Sequence, residues 1–191
     1  MKNPESVKRS VTGADEVVRF WFEDSGRKKW FRGGPQFDAE IRARFAGHYA
    51  AAAAGLLDHW RATPDGSLAL LLLLDQFSRN MFRRDARAFA ADPFARMIAS
   101  GAIARRFDKI AAAETRAFLY LPFMHSEILA DQERSVALFK ATMPAFGNLR
   151  YAVEHAGIIR RFGRFPHRNA YVGRRSTAEE IAYLRNGGFS A

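Results

Sequence analysis

Residues 68–80 read LALLLLLDQFSRN, and the reading of this stretch decides the fold. Residues 68–74 are uninterrupted apolar and mostly leucine, too greasy for a helix with a wet face, and they lack the polar alternation of a half-buried strand. They predict the most buried helix of the molecule. The run also stops far short of the about 20 residues that a bilayer span needs, so neither a membrane crossing nor a membrane partner is expected. Its polar end, residues 75–80, must find partners or water where the helix leaves the core.

The flanking sequence carries the same helical period, and β-branched runs bounded by Asn-Gly or Asp-Gly turns are missing. A first helix starts near Thr12 or Gly13, where Thr12 and Asp15 have capping-box spacing, and runs through Val17, Phe20, Trp21 and Phe22. Gly26, Gly33, Gly34 and Pro35 predict a loop. A second helix is expected over about residues 36–60, with Phe37, Ile41, Phe45 and Tyr49 on one core-facing stripe. Thr63, Pro64, Asp65 and Gly66 separate it from the leucine run. Asp92 and Pro93 read as N-cap and N1 of another helix. A helix over about 111–120 is expected to break or kink at Pro122 before residues 123–142 resume. Pro144 and Gly147 precede a helix over 148–162, and Ser176 with Glu179 forms a capping box for a last helix that ends at Gly187 and Gly188. The expectation is all-α: an irregular stack of antiparallel helix pairs, seven or eight helices in a tetratricopeptide-like superhelix or bundle. Residues 1–191 read as one domain with a flexible tail over 1–11.

Composition narrows the functional classes. The 191 residues are 48% hydrophobic and 26% charged, an ordinary globular balance. Cysteine is absent, which removes disulfides, thiolate catalysis and Cys-ligated metals. No apolar segment follows the charged start, so a cytoplasmic location is expected. The net charge is +10, and 24 Arg against 6 Lys carry the basic side. Such a surface fits phosphate-bearing or other anionic partners, although an Ala- and Arg-rich chain also arises from a GC-rich genome without functional demand. The excess sits late, and residues 160–175 hold Arg160, Arg161, Arg164, Arg168, Arg174 and Arg175 without one Asp or Glu.

Five ordered blocks carry a resemblance: RFWFED (19–24), LLDQFSRNMFR (73–83), FLYLPFMHSE (118–127), DQERSVALF (131–139) and IIRRFGRFPHRN (158–169). Together they make the chain similar to the bacterial domain of unknown function 924 family over nearly its whole length. The departures are Ser78 where the family usually has Pro and Met81 where it usually has Ile, which bear only on the turn after Phe77. The resemblance implies a tetratricopeptide-like helical fold and implies no reaction.

Three clusters can carry chemistry. Asp75 and Arg79 stand i, i+4, which predicts an ion pair, while Arg79 and Asn80 could instead face a ligand with a planar fork and an amide. His125, Glu127 and Asp131 offer a carboxylate pair with an imidazole. On an ideal helix His125 and Glu127 point apart, so a metal site is not expected, and ion pairs of Glu127 or Asp131 with Arg134 explain the residues as well. Arg164, His167, Arg168 and Asn169 lie in a segment that must leave the helix around Gly163 and Pro166, where they either bind an anion or pair with acids such as Glu114, Glu127 or Asp131. Aromatic residues at helical spacing read as core, with Trp30 as a possible groove lining.

The leading expectation is a helical binding module. Its groove, lined by Arg79, Asn80, Tyr120, His125, Glu127, Arg164, His167, Arg168 and Asn169, takes an anionic small molecule or an acidic peptide. One alternative is an enzyme that draws acid, base or ligands from Glu127, Asp131, His125, His155 and His167. Another is nonspecific nucleic-acid binding through residues 160–175. Catalytic triads, phosphate-binding glycine loops and dinucleotide fingerprints are absent, and no cofactor is expected.

Overall fold

The computed structural model describes residues 13–145 and 147–189, with the backbone alone at Phe31 and Arg32. Thr12 and the expected tail, 1–11, lie outside the described residues. Among those described, every regular element is helical, as the all-α reading requires. They fall into two compact units, one reaching to Arg83 and including Arg87–Leu119, the other comprising Arg84–Ala86 and the chain from Tyr120 onward.

The first unit is organised by the leucine run. Helix α1 (Ala14–Arg19) continues into a π-helical turn, Phe20–Asp24, and is followed by α2 (Arg27–Arg32) and α3 (Gly34–Ala53). Helix α4 (Pro64–Leu71) passes through a second π-helical segment, Leu72–Phe77, into α5 (Ser78–Met81). Thr63 caps α4 by accepting the Gly66 amide at 3.1 Å. None of residues 68–74 is more than 5% exposed, because α1, α3 and α6 (Asp92–Ala104) all pack on this element. Phe37, Ile41 and Phe45 are buried as the stripe predicted, with Tyr49 half-buried. Trp30, half-buried, stacks on Trp21 at 5.9 Å and donates through Nε1 to the Trp21 carbonyl at 2.7 Å.

Several boundaries differ from expectation, each for a local reason. The segment between Gly26 and Gly33 is helical rather than a loop, because Gly26 turns at φ 71° and its carbonyl takes the Lys29 amide. Helix α3 ends at Ala53, not near Trp60. Gly55 at φ 75° makes a Schellman turn, with the Leu56 amide on the Ala51 carbonyl (2.9 Å) and the Gly55 amide on that of Ala52 (3.0 Å). Trp60 lies instead in a 3₁₀ turn, Asp58–Ala62. Ala91, not Asp92, is the N-cap of α6, since the Asp92 carboxylate is taken by Arg79. Two further helices are α7 (Phe107–Ile110) and α8 (Ala113–Met124), the latter assigned to the first unit as far as Leu119. Pro122 does not break α8. The buried residues 118–124 outweigh one lost backbone donor, and the break comes after Met124 instead.

The second unit contains the last turn of α8, α9 (Leu129–Thr142), α10 (Asn148–Phe162), a 3₁₀ turn over Pro166–Arg168, and α11 (Ala178–Arg185). Helix α9 packs on α10, and α11 packs on the 3₁₀ turn. The bounds of α10 match expectation, and Gly163 ends it at φ 68°. Ile158, Ile159 and Phe165 form a buried cluster against which Phe162, Tyr183 and Phe189 pack. The capping box of α11 is Thr177 with Glu180, one residue later than the expected Ser176 with Glu179.

Candidate functional site

Arg79 and Asn80 belong to the first unit, where carboxylates engage both. Arg79 forms the expected ion pair with Asp75 at 3.2 Å. Its fork also meets both Asp92 oxygens at 3.1 Å, and Nη1 donates to the Ala88 carbonyl at 2.9 Å. Burial alone would lower the guanidinium pKa, but Asp92 and Asp75 raise it above its ordinary value. Asn80 donates to Asp38 at 2.8 Å, and Asp38 holds Arg83 through a two-point contact of 2.6 and 2.9 Å. Burial opposes ionisation of Asp38, yet Arg83 and Asn80 hold its carboxyl below the usual range. Both clusters satisfy buried charge within the unit.

The remaining expected residues lie in the second unit, and the fold brings most of them together around Phe165. After Met124 the chain leaves the helix over residues 125–128, which places Glu127 on the turn after Gly163. Glu127 accepts the Phe165 amide at 2.8 Å and a two-point contact from Arg174 at 2.6 and 2.9 Å. Burial would raise its pKa, but these donors and the Arg174 and Arg168 charges lower it. Arg164 takes Glu180, at 2.6 and 2.9 Å, rather than the acids expected for it. Glu180 is 2% exposed and also accepts the Thr177 amide and Asn169 Nδ2, so its carboxyl is depressed to about 2, chiefly by the Arg164 hydrogen bond. Asp131 accepts the Ser126 hydroxyl at 2.7 Å, while Arg134 lies over the Phe123 ring at 4.3 Å. Tyr120 is buried edge-on against Phe139 at 5.4 Å, a packing role.

What these salt links frame is a cationic and aromatic cluster. The Arg168 guanidinium lies 4.5 Å from the Phe165 ring centre, and its Nη2 donates to the His125 carbonyl at 2.9 Å. The His167 ring centre is 5.6 Å from that of Phe165, and the His155 ring centre is 5.3 Å from it. His155 is buried, with Nδ1 against the Tyr151 carbonyl at 2.8 Å. Burial first, then the charges of His125, Arg168 and His167, push the His155 imidazole down to about 3. Burial is the larger cause, and the neighbouring positive charges add to it. Among the described residues, no three His, Asp or Glu side chains are grouped so as to hold a metal ion.

Sequence reasoning identified Arg164, His167, Arg168 and Asn169 as one segment but missed Phe165, Phe189 and the partner roles of Arg174 and Glu180. The signal for Phe165 was its place inside FGRFPHRN, where an apolar residue between cations must be buried if the segment folds back. The Glu180 and Arg174 partners are 16 and 47 residues away from Arg164 and Glu127, beyond any local spacing rule.

The comparisons agree with this architecture. Residues 17–188 match a family model described as Bacterial protein of unknown function (DUF924). The chain is also similar to a solved structure, Protein of Unknown Function ATU0120 from Agrobacterium tumefaciens. The identity is 44%, the TM-score is 0.86, and the match covers 91% of this chain and 97% of that one. No curated protein matches. No helix among the described residues is long and apolar enough to cross a membrane. With a family model matched over nearly its whole length, the chain belongs to the bacterial DUF924 family.

Proposed function

We propose that this protein is a binding module whose second unit takes an anionic small molecule or an acidic peptide at His125, His167 and Arg168 around Phe165. The observation that carries the reading is the convergence of one guanidinium and two imidazoles, those of His155 and His167, on the Phe165 ring, with the His125 carbonyl accepting from the same guanidinium. An anion placed there offsets the positive charges that add to burial in holding His155 neutral. Glu127, Arg174, Arg164, Asn169 and Glu180 are the frame that fixes the segment. Arg79 and Asn80 are left out of the site because Asp92, Asp75 and Asp38 occupy them. Tetratricopeptide-like stacking and a cytoplasmic location belong to the same proposal.

The two other readings are less well supported. Arg160, Arg161, Arg164 and Arg174 each meet a carboxylate, from Glu133, Glu179, Glu180 and Glu127 respectively, which reduces the charge free to follow a nucleic-acid backbone. Catalysis by Glu127 or Glu180 as general acid is disfavoured, because both carboxyls are held ionised well below neutral pH.

A thermal-shift panel of anionic metabolites, divalent metals and short oligonucleotides, at low and at physiological salt, tests the reading. The expected result is a shift from a small anion that survives physiological salt and disappears in Arg168→Ala. A shift from oligonucleotides alone that vanishes with salt contradicts it.

A further inference from the structure

Helix α11 ends in a return that sets a ring of the chain's own against this cluster. Gly187 turns at φ 78°, and the Gly188 amide reaches back to the Tyr183 carbonyl at 3.0 Å. Gly188 passes so close that an added Cβ would lie 2.5 Å from the Tyr183 ring and 2.6 Å from the Tyr183 carbonyl oxygen. Only glycine fits there. The Phe189 amide then donates to the Tyr183 hydroxyl at 2.9 Å, and the Phe189 side chain lands between two imidazoles. Its ring centre is 4.4 Å from that of His155 and 5.2 Å from that of His167, with interplanar angles of 63° and 66°. Steeply inclined ring pairs at such distances are the edge-to-face arrangement that aromatic side chains favour. Phe189 is only partly buried, and beyond its ring contacts and its packing on the Ile158, Ile159 and Phe165 cluster the return is held by one glycine turn and two hydrogen bonds, a short segment whose opening is local.

Resting on the anion-binding reading above, we propose that Phe189 is a tethered stand-in for part of the ligand: the site takes an aromatic carboxylate, whose ring replaces that of Phe189 between His155 and His167 while its carboxylate meets Arg168. The chain's own ring is then a competitor in cis. The ligand binds the fraction of molecules from which Phe189 has swung out, so its apparent affinity is reduced by that fraction.

The test measures dissociation constants of phenylacetate, cyclohexylacetate, acetate and inorganic phosphate by calorimetry for the full chain and for Phe189→Ala, Phe189→Leu and Gly188→Ala. Far-UV circular dichroism establishes that each variant is folded. Phe189→Leu keeps an apolar side chain without a ring, and Gly188→Ala keeps the ring but forces the return off Tyr183. The expected result is that Phe189→Ala and Gly188→Ala bind phenylacetate at least about tenfold tighter than the unaltered chain, with less than about twofold change for acetate and cyclohexylacetate. N-acetyl-Phe-Glu run in parallel separates a peptide source of the ring and carboxylate from a free small molecule. Phenylacetate bound no more tightly by Phe189→Ala, or gained in equal measure with cyclohexylacetate, overturns the stand-in while phosphate binding leaves the anion site intact. Failure of all four anions to bind any of the proteins removes both.

Discussion

Arg79→Ala is expected to lower the stability of the protein by about 3–5 kcal/mol, the loss that follows when one partner of a buried ionic cluster is removed. The Arg79 side chain is 23% exposed, and its partners Asp75 and Asp92 are 2% and 9% exposed at the side chain. Truncation strands both carboxylates where water reaches them poorly, and it also takes a donor from the Ala88 carbonyl. Arg79→Lys is expected to recover only part of the loss, because an ammonium cannot make the two-point contact with Asp92. Urea denaturation monitored by circular dichroism measures both variants. A loss of less than about 1 kcal/mol in Arg79→Ala would show that the cluster is solvated like a surface pair.

Acidification is expected to destabilise the protein through His155. Its unfolded pKa is near the ordinary histidine value of 6.5 and its folded pKa is about 3, so between these values the unfolded chain binds more protons than the folded one. Stability attached to this group is complete above pH 6.5 and falls as the pH is lowered towards 3, at up to about 1.4 kcal/mol per pH unit. Glu180 extends the same trend to lower pH. Its folded pKa of about 2 lies below the ordinary glutamate value of 4.5, so its contribution is present above 4.5 and is lost as the pH falls towards 2. Denaturation midpoints measured from pH 7.5 to pH 3.5 are expected to fall steadily in the unaltered chain and to fall less steeply in His155→Phe. An unchanged slope in that variant would mean that His155 titrates normally in the fold.

The parts of the fold that were legible in the sequence are those decided by local or composition-level physics. The run 68–74 could only be buried, and the stripe Phe37, Ile41, Phe45 could only face a core. The Asp75 and Arg79 pair was legible because it sits within one helical turn, whereas Asp92, the stronger partner of the same guanidinium, is 13 residues away. Errors occurred where a local rule had two solutions or was overridden. Ser176 with Glu179 and Thr177 with Glu180 have identical spacing, and the choice between them falls to Arg164 and Asn169, which hold Glu180 from a distant segment. The alanines ahead of Gly55 and the leucines after it hid a helix end, since the apolar pattern continues through the turn. Pro122 marks no break because burial of its neighbours exceeds the cost of one missing donor. In the candidate site, the cations were visible as a charge run, but their grouping required Phe165 and the return of Phe189, which no periodicity marks.

The most direct test of the proposed anion site is a histidine titration by NMR, following the imidazole carbon-bound protons with and without saturating phosphate at physiological salt. A bound anion beside Arg168 and His167 offsets the positive charge that adds to burial in depressing His155. The predicted result is an upward movement of the His155 pKa from about 3. A His155 titration that phosphate leaves unmoved, or equal small movements of all five histidines, would contradict an anion site at this cluster.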